Sequence, residues 1–155
     1  MWVPPEDRDP IVRHAPTRKG VGYYGAVRLR DGRLVWRREE GRFNGATHWS
    51  FLRHLRRVTA PIRRPVVAIE DNASYHHAAL HRDWREACAD RLAFHFLPPY
   101  SPELNPIERV WKLTRTLRTH NRYFASLGEV VETVEAQFDA WRHGSEDLRR
   151  LCAIN

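Results

Sequence analysis

The sequence predicts a mixed α/β domain, in which helices cover a sheet that contains both antiparallel and parallel strands. Two strand-like segments flank Asp31-Gly32, and an Asp-Gly pair in that position predicts an antiparallel hairpin. Helical and strand-like segments then alternate, a pattern typical of parallel strands joined through helices. The length of 155 residues suits one domain, which at this size buries roughly 70% of the surface of the unfolded chain.

The first half of the chain is predicted to contain three strands and one helix. After an irregular lead-in of residues 1–20, segments 21–29 and 34–36 form the hairpin. Helical spacing begins after Asn44-Gly45, and an uninterrupted apolar run at 66–69 predicts a strand buried on both faces. The inner face of the helix is predicted to comprise Phe51, Leu52, Leu55 and Val58.

The second half is predicted to contain three helices and one strand. A helix over residues 75–90 precedes a strand at 92–97, and a helix over 106–118 has Pro106 in its first turn. The last helix begins at Ser126, with Glu129 completing a capping box. The main domain is predicted to span 21–142, followed by a tail of 143–155. The inner face of the helix over 75–90 is predicted to comprise Ala79, Leu80, Trp84, Ala87 and Cys88. That of the helix over 106–118 comprises Ile107, Val110, Trp111, Thr114 and Leu117. That of the last helix comprises Leu127, Val130, Val131, Val134, Phe138 and Trp141.

The chain is basic, with 26 Lys and Arg against 19 Asp and Glu, a formal net charge of +7. This excess favours a polyanionic partner such as nucleic acid, although a GC-rich genome also enriches arginine. No apolar run approaches the ~20 residues of a membrane helix, and the first residues do not resemble a secretory signal. The isolated cysteines Cys88 and Cys152 exclude a disulfide scaffold and a cysteine zinc site, and they suggest a reducing, cytoplasmic compartment.

The first candidate catalytic residue is Asp71, directly after the predicted strand 66–69. Sites in open α/β sheets gather at the carboxyl ends of strands, and a carboxylate there can hold a hard divalent cation. The alternative is structural, because Asp71, Asn72 or Ser74 could start a turn or cap the next helix.

The second candidate is Glu108, in the segment Ser-Pro-Glu-Leu-Asn-Pro-Ile-Glu at residues 101–108. Asn105 is predicted to cap the helix, and Glu108 could complete a capping box. Alternatively, Glu108 points towards Asp71, with Lys112 and Arg115 on the same helical face. Carboxylates beside cations suit a metal site that binds a phosphodiester. His76 could donate to a phosphate or steady a ligand, and His77 is a weaker candidate.

Two blocks carry a resemblance to a known family. Residues 66–76 read Val-Val-Ala-Ile-Glu-Asp-Asn-Ala-Ser-Tyr-His, and residues 97–111 read Leu-Pro-Pro-Tyr-Ser-Pro-Glu-Leu-Asn-Pro-Ile-Glu-Arg-Val-Trp. Together they resemble the catalytic core of DDE transposases of the Tc/mariner superfamily, in its bacterial insertion-sequence branch. The resemblance covers roughly residues 20–142 and implies a ribonuclease-H-like fold and metal-dependent DNA transposition.

The resemblance also implies residue roles, cofactors and partners. Asp71 matches the second catalytic acid of the family and Glu108 the third, with Asn72, His76 and Asn105 in support. Two Mg²⁺ or Mn²⁺ ions are implied, and a metal pair can stabilise both the attacking and the leaving oxygen at phosphorus. The implied partners are double-stranded DNA at transposon ends and target, a second copy of the complete protein, and no membrane. The resemblance also implies a bacterial protein located at the nucleoid. The residues expected to contact DNA are Arg109, Lys112, Arg115 and Arg118.

One element of the family pattern is missing from the sequence. The first catalytic aspartate of the family lies on the first strand of the sheet, and no strand-like run with an aspartate precedes Val21. Asp7 and Asp9 lie in an irregular segment, and Glu70 is expected to point away from Asp71. A split reading frame with an upstream transposase fragment, a decayed gene and a misassigned start codon all remain open. The alternative function is therefore a catalytically incomplete remnant that only binds DNA.

Overall fold

A computed structural model describes residues 20–153 and contains four strands and five helices in this range. No helix in this range is long and apolar enough to cross a membrane. The strands are β1 (Gly22–Arg28), β2 (Arg33–Glu39), β3 (Val66–Glu70) and β4 (Leu92–Phe96). The helices are α1 (Gly45–Thr59), α2 (Arg82–Cys88), α3 (Pro106–Thr114), α4 (Leu127–Ala140) and α5 (Glu146–Leu151). The predicted lead-in lies almost entirely outside the described residues.

The predicted hairpin forms, with β1 antiparallel to β2 over seven residue pairs. Asp31 fixes the turn because its carboxylate accepts hydrogen bonds from the Arg28 side chain and from the backbone N–H of Arg33. Gly32 adopts a φ of +66°. A Cβ atom at Gly32 would lie 2.1 Å from the backbone oxygen of Ser145 and 2.6 Å from the backbone nitrogen of Arg149. The turn is therefore packed directly against the backbone that leads into α5.

We expect Gly32→Ala to lower the free energy of unfolding by about 2–4 kcal/mol, because it adds left-handed backbone strain to a clash with two backbone atoms. Chemical denaturation monitored by circular dichroism measures the change. The matched control is Gly128→Ala in α4, where the nearest atom, Ser126 Oγ, lies 3.6 Å from the added Cβ. The control should be neutral or stabilising, because alanine favours a helix. Equal stabilities of the two variants would contradict the packed turn.

The strands form two separate two-stranded sheets within residues 20–153, rather than the one mixed sheet predicted. β3 runs parallel to β4, with Val66 opposite Leu92 and Glu70 opposite Phe96. The expectation that β3 is buried on both faces is wrong. Val67 is 58% exposed and Ile69 43% exposed, whereas the alternate residues Val66, Ala68 and Glu70 are half-buried, so only one face of this strand is packed.

The helix predicted over residues 75–90 is divided. Two 3₁₀ turns, Ser74–His77 and Ala79–His81, precede α2, and Ala78 between them has an extended ψ of 133°. Nε2 of the buried His81 ring is hydrogen-bonded to the backbone oxygen of Tyr75 at 3.1 Å. In an uninterrupted helix that oxygen would instead accept from the backbone N–H four residues later. The predicted inner face is consequently wrong in part: Ala79, Leu80 and Ala87 are exposed, whereas Trp84 and Cys88 are half-buried.

The helix predicted over residues 106–118 continues beyond α3 as a π-helical turn, Arg115–Thr119. Val110 and Thr114 are buried as expected, and Ile107 and Trp111 are half-buried. Leu117 is 43% exposed, contrary to the expected stripe. Leu117 lies inside this π turn, whose i→i+5 hydrogen bonds place more residues in each turn than an α-helix has, so its side chain falls off the stripe that α-helical spacing predicts.

The main hydrophobic core is built where α3, α4 and α5 pack against the hairpin. α4 begins with Ser126 as its N-cap, and Ser126 Oγ accepts from the N–H of Glu129 as predicted. The predicted capping box forms only in this half, because the Glu129 carboxylate accepts from the N–H of Ala125 instead of Ser126. The predicted tail contains α5, which begins after Ser145 and buries Leu148 completely. The fully or nearly fully buried residues of this core are Leu34, Val110, Val134, Phe138, Trp141, Leu148 and Cys152.

Candidate active site

A cavity of about 530 Å³ lies between the two sheets. The cavity is lined by seven consecutive residues of β1 and its end, Tyr23 to Leu29. It is also lined by six consecutive residues of β3 and its end, Val66 to Asp71. One face of a strand presents only alternate residues, so consecutive lining residues indicate that the strand edges border the cavity. Within residues 20–153 each of these strands pairs on one side only. The cavity is therefore a groove between two unpaired strand edges.

Asp71 lies at the carboxyl end of β3 and lines the groove. Its Oδ1 atom accepts a hydrogen bond from the N–H of Ala73 at 3.0 Å, so the turn-forming role considered for this residue is present. His76 Nδ1 lies 2.9 Å from both the backbone oxygen and Oδ1 of Asp71. The Asp71 side chain nevertheless remains 45% exposed, so a fixed carboxylate is still accessible to a ligand.

Glu108 lines the same groove, from the first turn of α3. Asn105 caps this helix, because its side-chain oxygen accepts from the N–H of Ile107 at 3.4 Å and its backbone is extended. The Glu108 carboxylate has no hydrogen-bond or ion-pair partner among residues 20–153, so the capping box considered for it does not form there. Two acidic side chains with 36 residues between them in sequence therefore line one groove, and one of them is unengaged.

Glu70 also lines the groove, as part of a largely buried network. His48 Nε2 lies 3.0 Å from Glu70 Oε1, and the Arg85 guanidinium pairs with the other carboxylate oxygen. Burial raises the pKa of Glu70, but the hydrogen bond and charge of His48 and the charge of Arg85 outweigh it and hold that pKa below its ordinary value. Burial is also the main reason that the pKa values of His76 and His81 are lowered.

Ligand atoms of His48, Glu70 and His76 lie within 4.8 Å of one another, close enough to hold a metal ion. Imidazole nitrogen atoms suit transition metals better than Mg²⁺. The Arg85 guanidinium already neutralises Glu70 and would repel a cation. We therefore interpret this cluster as an ion-pair network in the wall of the groove, where it holds β3 and the loop after it.

Tyr75 lines the groove together with the three acidic residues. Its pKa is raised to about 12, first by burial, then by the neighbouring Tyr24 and by the negative charges of Asp71, Glu70 and Glu108. The three carboxylates thus act on one phenol, which stays protonated at neutral pH. The ring also packs edge-on against His76, with centroids 4.6 Å apart, and so helps to fix the imidazole that contacts Asp71.

Asn72 and His77 lie just outside the groove. The Asn72 side chain donates to the backbone oxygen of Leu97, which joins the loop after β3 to the end of β4. His77 Nε2 lies 3.0 Å from the Asn72 side-chain oxygen, and the His77 ring packs on Phe96 with centroids 4.2 Å apart. Both contacts stabilise the loop that carries Asp71.

The four basic residues expected to contact DNA have different environments. Arg109 donates to the backbone oxygens of Leu151 and Ala153, at 3.1 and 3.3 Å, and so holds the end of α5. Arg118 donates to the Gln137 side chain at 2.8 Å. Lys112 and Arg115 are exposed. Their side chains have no ion-pair partner within residues 20–153, so of the four these two are free to contact a ligand.

The residues of the groove fit a divalent cation in part. Asp71 and Glu108 offer accessible carboxylate oxygen atoms, the ligands that Mg²⁺ and Mn²⁺ prefer. The third carboxylate of the groove, Glu70, is engaged by His48 and Arg85. The described residues thus supply two available acidic ligands. Two accessible carboxylates beside the carboxyl end of a parallel strand in an α/β fold define a class of site that can bind a divalent cation.

The chain belongs to the DDE superfamily endonucleases, whose family model matches residues 1–131. Its fold resembles one chain in the crystal structure of the Mos1 Strand Transfer Complex, with a TM-score of 0.67 and 23% sequence identity. That likeness covers 98% of this chain and 44% of the other, and it supports the mixed α/β, ribonuclease-H-like class. The uncharacterized protein y4pE/y4sA of Sinorhizobium fredii (strain NBRC 101917 / NGR234) is 45% identical over 42 residues, 27% of this chain and 31% of that protein. The chain therefore matches less than half of each relative.

The sequence interpretation missed the network around Glu70. His48 precedes Phe51, Leu52 and Leu55 at helical spacing, which was a signal that it faces inward with them. No comparable signal marked Arg85, because its contact with Glu70 depends on how α2 packs against β3 and β4. Tyr75 was likewise assigned only as the start of a helix.

Proposed function

We propose that this chain is the catalytic part of an insertion-sequence transposase, performing metal-dependent phosphodiester cleavage and strand transfer at transposon ends. The observation that carries the proposal is that Asp71 and Glu108 line one groove with accessible carboxylates. These two residues would hold divalent metal ions. When bound, such ions activate an oxygen nucleophile and stabilise the charge on the leaving oxygen.

The other residues have supporting roles in this proposal. His76 and Asn72 hold the loop on which Asp71 lies, through the Asp71 backbone oxygen and the Leu97 backbone oxygen respectively. Asn105 fixes the start of α3, so that Glu108 extends from a rigid helical turn. Lys112 and Arg115 would contact DNA phosphates on the exposed side of the same helix, whereas Arg109 and Arg118 support it through their contacts with the rest of the chain.

We further propose that a β-strand from an upstream transposase fragment occupies the groove and supplies the third carboxylate. Within residues 20–153 both walls are strand edges without a pairing partner, whose N–H and C=O groups a further strand can satisfy. Such a strand would join the two small sheets into one and complete the first strand that the family pattern requires. An aspartate near its end would face Asp71 and Glu108.

The engagement of Glu70 favours a second candidate, a remnant that binds DNA without cutting it. Among residues 20–153 the groove offers two available carboxylates, and Glu70 is not a free third one because Arg85 neutralises it. The two candidates predict different results when the upstream fragment is supplied.

We expect the 155-residue chain alone to bind transposon-end DNA without nicking it, and the chain with its upstream fragment to cleave it in Mg²⁺. The substrate is a labelled duplex containing the terminal repeat that flanks the gene, and the products are resolved on a denaturing gel. The control fragment carries asparagine in place of its strand aspartate. Robust nicking by the 155-residue chain alone would contradict the missing-strand proposal. Absence of cleavage with the matched fragment, in a complex shown to form, would favour the DNA-binding remnant.

A further inference from the structure

A second concave site lies on the other side of α1. It has a volume of about 400 Å³ and is formed between β2 and α1. On α1 the groove is lined by His48, Phe51 and Leu55, whereas different positions of the same helix line this second site. At 100° per residue the two sets point in nearly opposite directions, so about one helix diameter, ~10 Å, separates them. The lining residues are Trp36, Arg37, Ser50, Arg53, His54 and Arg57.

The site is strongly cationic. Arg37, Arg53 and Arg57 are exposed, and no acidic side chain lines the site. Among residues 20–153 none of the three arginines has an ion-pair partner, whereas several other arginines of the chain do. Three uncompensated guanidinium groups around one concavity repel one another, and a bound anion would relieve this repulsion.

The site is also partly preorganised. Arg53 and Arg57 occupy neighbouring positions one turn apart on α1, and Arg37 approaches from β2. The Arg53 guanidinium lies over the Trp49 ring, 4.9 Å from its centroid, which restricts its orientation. Ser50 adds a hydroxyl donor. Burial and the positive charges of Arg57, Arg37 and Arg142 lower the pKa of His54, so the local field acts on a titratable group within the site.

We propose that this cluster, Arg37, Arg53 and Arg57 with Ser50 and His54, binds phosphates of a DNA backbone. Guanidinium groups pair with phosphate oxygens in a bidentate geometry, and consecutive phosphates can engage several of them together. The choice of DNA as the polyanion rests on the proposed function, but the site is separate from Asp71 and Glu108. Phosphate contacts position a duplex without reading its sequence, so the cluster would anchor DNA about one helix diameter from the groove.

Binding of a fluorescent 20-base-pair duplex, measured by anisotropy over a range of KCl concentrations, tests this proposal. We expect Arg53→Ala/Arg57→Ala to weaken binding at least tenfold at ~0.1 M salt, and to reduce the slope of log K against log salt by about 1.8, as two lost phosphate contacts require. The control is Arg63→Ala/Arg64→Ala, which removes the same charge from two exposed positions outside the cluster. Equal losses in the two variants would overturn the proposal, because net charge alone would then explain them.

Two further measurements make the result specific. The pKa of His54, followed by NMR, should rise when the duplex binds, because a nearby phosphate favours the imidazolium. An unchanged His54 pKa in the bound complex would count against the site. Inorganic phosphate serves as a competitor: if millimolar phosphate displaces the duplex completely, the cluster is a small-anion site and the DNA assignment is wrong. If the chain together with its proposed upstream fragment fails to cleave DNA, the proposed function is contradicted, but the binding result for this cluster is unaffected.

Discussion

Under the proposed function, Asp71→Asn and Glu108→Gln should each lower DNA cleavage, by the chain together with its proposed upstream fragment, by about 10³-fold or more. Each substitution replaces a carboxylate with a neutral amide of the same shape, so the groove is kept while a charged metal ligand is lost. Metal coordination contributes several kcal/mol of transition-state stabilisation, and each 1.36 kcal/mol corresponds to a factor of ten in rate. Single-turnover nicking of the transposon-end duplex in saturating Mg²⁺ measures the loss.

The matched control for this prediction is Glu103→Gln, in the 3₁₀ turn Pro102–Leu104 that leads into α3. Glu103 is exposed and does not line the groove, so its substitution should leave cleavage within about twofold. Mn²⁺ affinity, measured by electron paramagnetic resonance, provides a readout that does not depend on turnover. It should fall in the Asp71 and Glu108 variants and stay constant in the control. Cleavage by Asp71→Asn at the rate of the unmodified protein would falsify the metal-ligand assignment.

Leu148→Ala should lower the free energy of unfolding by about 2–5 kcal/mol, although position 148 lies in the segment that the sequence predicts as a tail. Leu148 is completely buried and belongs to the core cluster with Phe138 and Trp141. Truncating a buried leucine loses its transfer free energy and leaves a cavity in the surrounding core. Urea denaturation followed by tryptophan fluorescence measures the change.

Leu104→Ala is the matched control, since it removes the same atoms from a side chain that is 49% exposed. We expect a change within about 0.5 kcal/mol for this variant. A cost below about 1 kcal/mol for Leu148→Ala would show that α5 is dispensable. A large cost would make residues up to Cys152 part of the folding unit, beyond position 131, where the family match ends.

Local patterns predicted much of the fold. The hairpin, the start of α1 after Asn44, the Asn105 cap and the Ser126 cap are all present, because each depends on residues within a few positions of one another. The division of the helix over 75–90 was not predictable in this way. It depends on His81 bonding the Tyr75 carbonyl and packing beside His48, which lies 33 positions earlier.

The candidate site was predicted only in part for the same reason. The two acidic blocks were recognisable from their order and spacing, and the resemblance they carry agrees with the family match. Assignments from helical spacing alone were less reliable, since Arg109 and Arg118 extend from the expected helix yet bond to α5 and α4. Spacing along a helix predicts which face a side chain occupies, but not which neighbour covers that face.

The sequence by itself determined the order of the main elements, their caps, the positive charge and the two acidic residues of the family pattern. The tertiary structure decided that Asp71 and Glu108 line one groove and that Glu70 is neutralised by Arg85. It also decided that β1 and β3 border this groove with edges that no strand of residues 20–153 pairs. It also brought Arg37 of β2 beside Arg53 and Arg57 of α1. The physical reason is the range of the interactions. Caps and periodicity act within a few residues, whereas grooves and charge clusters form between segments that only packing brings together.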